Sequence, residues 1–177
     1  MTLLQNFDLN LLLGIYNTCH NSIFDKIMPV ISSLGNVGTV WIILSLIFLT
    51  SKKYRRTGVI CLLALLFTSF MGEVILKHLI QRPRPFNEIP GVQLLISKPL
   101  TYSFPSGHTA SSFAAAYIIF KEIRRLAIPA FIIAALIAFS RMYLLVHYPS
   151  DIAGGIILGI LCAAAARKLF MKYEIKR

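Results

Sequence analysis

Residues 57–85 read TGVICLLALLFTSFMGEVILKHLIQRPRP, and this stretch decides the fold class. Its apolar part, 57–79, is long enough to cross the hydrocarbon layer of a bilayer as an α-helix, which takes about 20 residues. The stretch then changes character and ends in lysine, histidine, two arginines and two prolines. The pattern predicts a membrane-spanning helix that opens into a polar, proline-stiffened loop.

The composition extends this interpretation to the whole chain. Of 177 residues, 56% are hydrophobic and only 14% are charged, which leaves too little polar surface to cover a soluble globule. We therefore expect an all-α, polytopic membrane helical bundle. No repeat, flexible linker or low-complexity tract divides it, so residues 1–177 are predicted to form a single domain. The first ten residues lack the basic region of a cleavable signal, and we expect them to be retained.

Six apolar segments are candidates for crossing the membrane. Residues 22–36 instead have the pattern of an amphipathic helix at the outer interface, with Asn21 or Ser22 as its N-cap. A long loop, 80–105, holds five of the eight prolines. The prediction is thus six transmembrane helices plus one interfacial helix near the N-terminus, with the crossings at 5–21, 37–51, 57–79, 106–120, 126–146 and 149–170.

The basic residues predict the orientation. Twelve of the 18 Lys and Arg residues fall where six alternating crossings place one side of the membrane, and an excess of Lys and Arg marks the cytoplasmic side. Both termini are therefore expected in the cytoplasm of a plasma-membrane protein. The net charge of +11 is assigned to these loops and to lipid head groups, and no nucleic-acid partner is predicted. The twelve are Lys52, Lys53, Arg55, Arg56, Lys121, Arg124, Arg125, Arg167, Lys168, Lys172, Lys176 and Arg177.

Three polar clusters contain nearly all the unusual side chains, and the predicted topology brings them to the extracytoplasmic face. They read KHLIQRPRP at 77–85, YSFPSGHTASS at 102–112 and SRMYLLVHYPSD at 140–151. From them we single out three cations (Lys77, Arg84 and Arg141), two imidazoles (His108 and His147), the carboxylate of Asp151 and a helix N-terminus. These are the components that phosphoryl transfer requires.

Each cation has an expected task. The transferred phosphoryl group carries negative charge on its equatorial oxygens, which Lys77, Arg84 and Arg141 are placed to neutralise. The Pro-Ser-Gly turn leads into a helix, and free N–H groups at a helix N-terminus bind anions. We expect the N–H groups of Ser106 and Gly107, with the Ser106 hydroxyl, to complete this phosphate cradle.

The two histidines receive different roles. His147 has Asp151 four residues on, close enough to orient its ring and to stabilise the imidazolium, so His147 is the expected nucleophile. His108 is then the general acid. The carboxylates expected on the outer face are too scattered for a dinuclear metal site, so neither a metal nor another cofactor is predicted.

These residues resemble the signature of the type 2 phosphatidic acid phosphatase superfamily. That signature is Lys, six residues, Arg-Pro; then Pro-Ser-Gly-His; then Ser-Arg, five residues, His, three residues, Asp. The resemblance implies a six-helix membrane fold, a phosphohistidine on His147, protonation of the leaving oxygen by His108, and hydrolysis by water without a metal. The matching residues are Lys77, Arg84, Pro85, Pro105, Ser106, Gly107, His108, Ser140, Arg141, His147 and Asp151.

The expected substrate is a lipid phosphate in the bilayer, because the loops are too short to build a large pocket for a soluble ester. The resemblance leaves undecaprenyl pyrophosphate, phosphatidylglycerol phosphate, phosphatidic acid and lipid A phosphate open. An outward-facing site in so small a chain favours conversion of undecaprenyl pyrophosphate to undecaprenyl phosphate, with phosphatidylglycerol phosphate second. A vanadate-binding haloperoxidase, which would want a larger soluble scaffold, and a non-catalytic lipid-binding protein are the remote alternatives.

Residues beside the clusters receive plainer interpretations. Glu73, one helical turn before Lys77, is expected to form an ion pair with it. Arg82 is interpreted as an interfacial anchor, like Lys26 and Lys98. No role is assigned to Ser103. Three small residues permit close helix packing, either within the monomer or at a dimer seam, namely Gly154, Gly155 and Gly159.

Overall fold

The computed structural model describes residues 3–175 and is all-α in that range. Met1, Thr2, Lys176 and Arg177 lie outside the described residues, so the last two of the twelve orienting cations are not placed. The helices are α1 (Leu3–Cys19), α2 (Ser22–Leu34), α3 (Thr39–Thr50), α4 (Arg55–Ser69), α5 (Lys77–Ile80), α6 (Gly107–Glu122), α7 (Ala127–Tyr143) and α8 (Pro149–Ile175).

Helices α4 and α5 are one continuous rod joined by a π-helical segment, Phe70–Leu76. π-Helical segments are rare in proteins, and those that occur often lie at functional sites. This one contains Glu73 and ends directly before Lys77. The rod stops at Gln81, whose φ of +49° is left-handed, and the proline-rich loop begins there.

The protein is a multi-pass membrane protein; the structure shows three or four candidate crossings within residues 3–175, and the six crossings stay a prediction. Three segments are long and apolar enough to span: Arg55–Asn87, Arg124–Tyr143 and Pro149–Ile175. A fourth exists if α2 and α3, which meet at 46°, cross together as one bent pair. Helices α1 and α6 have 17 and 16 residues, and at 1.5 Å per residue both fall short of a hydrocarbon layer about 30 Å thick.

Helix α2 has the predicted N-terminus. The Asn21 side chain accepts hydrogen bonds from the N–H groups of Ile23 and Phe24, at 3.0 and 2.9 Å, which satisfies two of the free donors of the first turn. The helix ends at Gly35, and the turn that follows leads directly into α3. This turn bends the α2–α3 pair toward the N-terminal end of α6.

Helix α6 lies at the centre, packed against α4, α7 and α8. It approaches α8 so closely that α8 needs glycine at the contact. A Cβ on Gly159 would lie 2.2 Å from the Ala110 carbonyl oxygen, and one on Gly155 would lie 2.8 Å from that of Ser106. Gly154 faces the ring of Phe104. Of the two interpretations of these glycines, the structure therefore has them packing within the monomer.

An ion-pair network closes the bundle at the end opposite the proline-rich loop. Glu122, at the end of α6, accepts from Arg56 of α4 at 2.5 Å and from Arg167 of α8 at 2.7 Å. The Glu122 side chain is 7% exposed, so the network is partly shielded from solvent. It fixes these three helices relative to one another at that end, while their other ends converge on the polar clusters.

Candidate active site

A cavity of about 350 Å³ opens between the ends of α5, α6 and α7. It collects residues from all three sequence clusters, which confirms that the clusters converge. Six of the eight predicted site residues line it, namely Lys77, Arg84, Gly107, His108, Arg141 and His147. The other two, Ser106 and Asp151, lie behind the wall and contact its lining.

Arg84 lines the cavity and contacts His147. Its side chain is anchored by carbonyl oxygens, with Nε donating to Thr101 at 2.7 Å and Nη1 to Val146 at 2.9 Å. Nη1 also lies 3.2 Å from Nε2 of His147. A guanidinium can only donate, so this contact assigns the lone pair to Nε2 and the proton to Nδ1. The unprotonated nitrogen is therefore the one that faces the cavity's cations.

Asp151 stands behind the His147 ring. Its Oδ2 lies 3.5 Å from His147 Nδ1 and accepts hydrogen bonds from the Ser103 hydroxyl at 2.5 Å and the Tyr148 N–H at 2.9 Å. Two fixed donors thus hold the carboxylate oxygen toward the protonated ring nitrogen. A contraction of a few tenths of an ångström would turn the 3.5 Å contact into a hydrogen bond.

The surroundings of His147 keep it neutral. Its side chain is 1% exposed, and burial is the main cause that lowers its pKa to about 3. The positive charges of Arg84 and Arg141 lower this pKa further, while Asp151 opposes them. A neutral imidazole with a free lone pair is the reactive form of a histidine nucleophile.

Arg141 and Lys77 supply the other positive charges, and each is 4% exposed. Arg141 donates from Nη1 to the Ser32 hydroxyl at 2.5 Å, while its buried Nε has no hydrogen-bond partner among the residues described. Lys77 donates to Glu73 at 2.8 Å and to Thr101 at 3.0 Å, which confirms the expected Glu73–Lys77 pair. A buried guanidinium with an unused donor is suited to an anion.

His108 lies in the first turn of α6 and is held from the α2–α3 turn. Its Nε2 is 2.9 Å from the side-chain oxygen of Asn36. The ring also packs on Gly35, where a Cβ would come within 2.8 Å of it. Neither Asn36 nor Ser32 was anticipated from the sequence. Both belong to α2 and the turn after it, and only the tertiary fold brings them to the cavity.

The structure changes the expected contribution of Ser106. Its N–H donates to the Asp151 carbonyl at 3.1 Å, and its hydroxyl accepts from the side chain and N–H of Thr109. Ser106 is fully buried as the N-cap of α6, and its backbone N–H is already used. The N–H groups of Gly107 and His108, in the first helical turn, remain as the cradle. The expected contact of the Ser106 hydroxyl with phosphate stays a prediction.

Arg82 is also placed differently from the prediction. The side chain is 11% exposed and lies between two carboxylates, 2.6 Å from Asp8 and 2.7 Å from Asp151. Interpretation as an interfacial anchor is therefore wrong. Ser103, which received no role, donates to Asp151. The contacts of Arg82 and Ser103 depend on the meeting of α1, the proline-rich loop and α8, which the sequence does not reveal.

Comparison with known sequence families identifies the class to which this cavity belongs. Residues 57–174 match the family described as the PAP2 superfamily. The chain belongs to the PAP2 superfamily. All eight predicted site residues fall inside this PAP2 match, and the enzyme class expected from the sequence, a lipid phosphatase, is confirmed at the level of the family.

Individual PAP2 relatives differ in what they act on. The chain is 34% identical over 121 residues to an undecaprenyl-diphosphatase of Sulfolobus acidocaldarius, a match covering 68% of this chain but only 58% of that protein. Among solved structures, Aquifex aeolicus LpxE superposes with a TM-score of 0.79 at 29% identity, covering 90% of this chain and 94% of the other. A phosphatidylglycerolphosphate phosphatase of Bacillus subtilis gives 0.76 at 25% identity, covering 97% and 88%.

Within residues 3–175, no group of three or more His, Cys, Asp or Glu side chains is arranged to hold a metal ion. The carboxylates near the cavity are instead committed to cations, Glu73 to Lys77 and Asp151 to Arg82. The positively charged side chains that line the cavity are Arg84, Arg141 and Lys77.

Proposed function

We propose that this PAP2 protein hydrolyses a phosphate ester or pyrophosphate of a membrane lipid, with His147 as nucleophile. One observation carries the proposal: the unprotonated Nε2 of His147 lies 3.2 Å from Arg84, in a cavity that Lys77 and Arg141 also line. A lone pair among three fixed cations is suited to attack an anionic phosphorus centre, which the cations both bind and polarise.

The reaction proceeds in two steps. The Nε2 lone pair of His147 attacks phosphorus, the bond from phosphorus to the leaving oxygen breaks, and His108 donates a proton to that oxygen. Water then attacks the phosphohistidine, His108 takes one of its protons, and the N–P bond breaks to release inorganic phosphate. Asp151 stabilises the positive charge that His147 carries between these steps.

The cations act on the transition state. Charge spread over the equatorial oxygens is met by Arg84, Arg141 and Lys77, and by the N–H groups of Gly107 and His108 at the N-terminus of α6. Because all three cations are buried and held by fixed partners, little reorganisation is needed as the charge develops. The free Nε donor of Arg141 is assigned to a phosphate oxygen.

Undecaprenyl pyrophosphate is the proposed substrate. The 34% identity to an undecaprenyl-diphosphatase supports it, although that match covers 58% of the relative's length. A cavity of about 350 Å³ is at the small end for ligand pockets, which suits one or two phosphates with the lipid tail left in the bilayer. Phosphatidylglycerol phosphate is the second candidate, supported by the likeness to the Bacillus subtilis phosphatase. Phosphatidic acid and lipid A phosphate follow.

We also propose the topology expected from the sequence: one domain over residues 1–177, six crossings, cytoplasmic termini and an extracytoplasmic cavity in the plasma membrane. The network of Glu122, Arg56 and Arg167 supports this arrangement, since it lies at the end of the bundle opposite the cavity. The basic turn at 52–56 belongs to that same end, as the positive-inside rule requires.

A panel of lipid substrates tests the function. Phosphate release is measured in detergent micelles for undecaprenyl pyrophosphate, phosphatidylglycerol phosphate, phosphatidic acid and lipid A phosphate, and the substrates are ranked by kcat/KM. We expect the highest value for undecaprenyl pyrophosphate and loss of turnover in His147→Ala with an unchanged elution profile. Wild-type turnover by His147→Ala would disprove the nucleophile, and a higher kcat/KM for another lipid would replace the substrate.

Cysteine labelling tests the topology. Leu100 lies in the proline-rich loop and is 96% exposed, whereas Lys52 lies in the turn at the opposite end. In a background where the half-buried Cys19 is replaced by Ser, we expect a membrane-impermeant maleimide to label Leu100→Cys and not Lys52→Cys in intact cells. The reverse pattern would place the cavity in the cytoplasm.

A further inference from the structure

A second group of charges lies behind the cavity, around Arg82. Its Nη1 donates to Asp151 Oδ1 at 2.7 Å and to the Ser150 hydroxyl at 2.6 Å, and its Nη2 donates to Asp8 at 2.6 Å. The guanidinium also stacks on Tyr148, with 4.0 Å to the ring centroid. Arg82 is not among the residues that line the cavity.

Asp8 is the unexpected member of this group. It belongs to α1, outside the PAP2 match at 57–174, and it is 3% exposed. A buried carboxylate in an apolar helix is costly unless it is paired, and its partners are Arg82 and Ser150. Asp8 Oδ1 also accepts from the Ser150 N–H at 3.0 Å, at the start of α8. The charge of Asp8 thus attaches α1 to the loop and to α8 together.

The group reaches the nucleophile through one carboxylate. Asp151 presents Oδ1 to Arg82 and Oδ2 to the His147 ring, 3.5 Å from Nδ1. A carboxylate held at both oxygens cannot rotate about its last bond without breaking a charge-assisted hydrogen bond. Removal of Arg82 would leave Oδ1 without this donor, and the orientation of His147 would be less fixed.

We propose that Asp8 and Arg82 are positioning residues, which fix the Asp151 carboxylate and through it the His147 imidazole. The proposal rests on the proposed role of His147 as nucleophile. It also makes α1 part of the catalytic unit rather than an accessory anchor. Since neither residue touches the cavity, their loss should impair the chemical step while leaving phosphate binding by Arg84 and Lys77 in place.

The test compares four variants. Asp8→Asn and Arg82→Gln remove one charge each, Arg82→Lys keeps the charge but loses the planar fork, and Lys26→Gln is the matched control. Lys26 is exposed and has no ion pair or hydrogen bond within residues 3–175. A misplacement of about 1 Å costs on the order of 10²-fold in rate. We therefore expect kcat to fall about 10²-fold in Asp8→Asn and Arg82→Gln, with KM changed less than about threefold, and no change in Lys26→Gln.

Phosphoenzyme trapping locates the affected step. Rapid quenching with a radiolabelled lipid phosphate should show slower formation of the phosphohistidine in Asp8→Asn and Arg82→Gln, at equal amounts of folded protein. Arg82→Lys should recover part of the rate. A residue that only stabilised the fold would instead reduce the amount of folded protein, and the rate of phosphohistidine formation per folded protein would not change.

A double variant guards against misfolding. Breaking one side of a buried ion pair can unfold a protein, whereas Asp8→Asn with Arg82→Gln leaves two neutral amides that can hydrogen-bond. Because the residues act as one unit, the double variant should be no slower than Arg82→Gln alone. Losses that multiply, or wild-type kcat in the single variants, would overturn the proposal. If His147→Ala retains turnover, the proposed function fails instead.

Discussion

Replacing Gly159 by Ala should separate the two helices that carry the active-site groups. The new Cβ would lie 2.2 Å from the backbone oxygen of Ala110, whereas ordinary contact begins near 3.4 Å. Backbone cannot rotate away as a side chain can, so α6 and α8 must part by roughly 1 Å. Overpacking of this kind costs about 1–3 kcal/mol.

The same displacement reaches the chemistry. Helix α6 carries His108, while α8 carries Asp151 behind His147, and a shift of about 1 Å between reacting groups costs on the order of 10²-fold in rate. We expect kcat/KM for the lipid substrate to fall by that factor. Both helices remain formed, since Ala is a better helix residue than Gly by about 1 kcal/mol.

Gly14→Ala is the matched control, because a Cβ at Gly14 in α1 would meet nothing within 4 Å. Both variants gain the same helix propensity, so the difference between their Tm values isolates the clash. For a chain of this length we expect Gly159→Ala to melt about 2–12 °C below Gly14→Ala in the same detergent, and Gly14→Ala to keep wild-type activity. Equal Tm and equal kcat/KM in the two variants would refute the close approach of α6 and α8.

Three further predictions concern the cavity itself. His108→Ala should lower kcat by about 10²–10⁴-fold for a phosphate monoester lipid, and by less for a pyrophosphate, whose leaving group needs less protonation. Asn36→Ala should show a smaller loss of kcat with the same dependence on substrate. Equal losses on both substrates would contradict the role of His108 as general acid. The pKa of His147 is about 3 when folded and 6.5 otherwise, so the unfolded chain binds the extra proton between these values and stability falls with falling pH by about 1.4 kcal/mol per unit. The Tm of the wild type should therefore drop more between about pH 7 and about pH 5 than that of His147→Asn. Parallel curves of Tm against pH would contradict the burial of a neutral His147. Activity should persist in excess EDTA and be inhibited by vanadate, a mimic of pentacoordinate phosphorus; loss on chelation that a divalent ion restores would indicate a metal mechanism.

The sequence predicted the chemistry of the site better than its supports. Lys77, Arg84 and His147 could be found because each is costly in an apolar chain and each lies in a cluster of unusual composition. Asp8, Ser32 and Asn36 could not, since their role depends on which helix faces which. A lone Asp or Asn near a helix end has many ordinary explanations until a partner is known.

Arg82 shows the same limit within a cluster. Next to Arg84, in a stretch expected at the membrane surface, it has the pattern of an anchoring cation. Only the convergence of α1 and α8 supplies the two carboxylates that enclose it, Asp8 and Asp151. Sequence spacing encodes which residues can share a turn, but not which distant side chains will pair across the bundle.

The positions of the helices were predicted well, whereas the six crossings stay a prediction. The apolar run at 57–79 became the α4–α5 rod, and Asn21 caps α2 as expected. The count of six assumed that each apolar segment spans by itself. Helix α6 has only 16 residues and packs against α4, α7 and α8, so the apolar character of its segment reflects helix packing as well as the bilayer.

The hydrogen bond from Arg84 to His147 has a consequence for selectivity between anionic and uncharged electrophiles. The Nε2 lone pair of His147, the proposed nucleophile, accepts a hydrogen bond from the Arg84 guanidinium in this structure. Phosphate oxygens are charged acceptors and attract the guanidinium more strongly than a neutral nitrogen does. We therefore expect an anionic substrate to draw Arg84 away from His147 and free its Nε2 lone pair. An uncharged electrophile would leave this hydrogen bond in place.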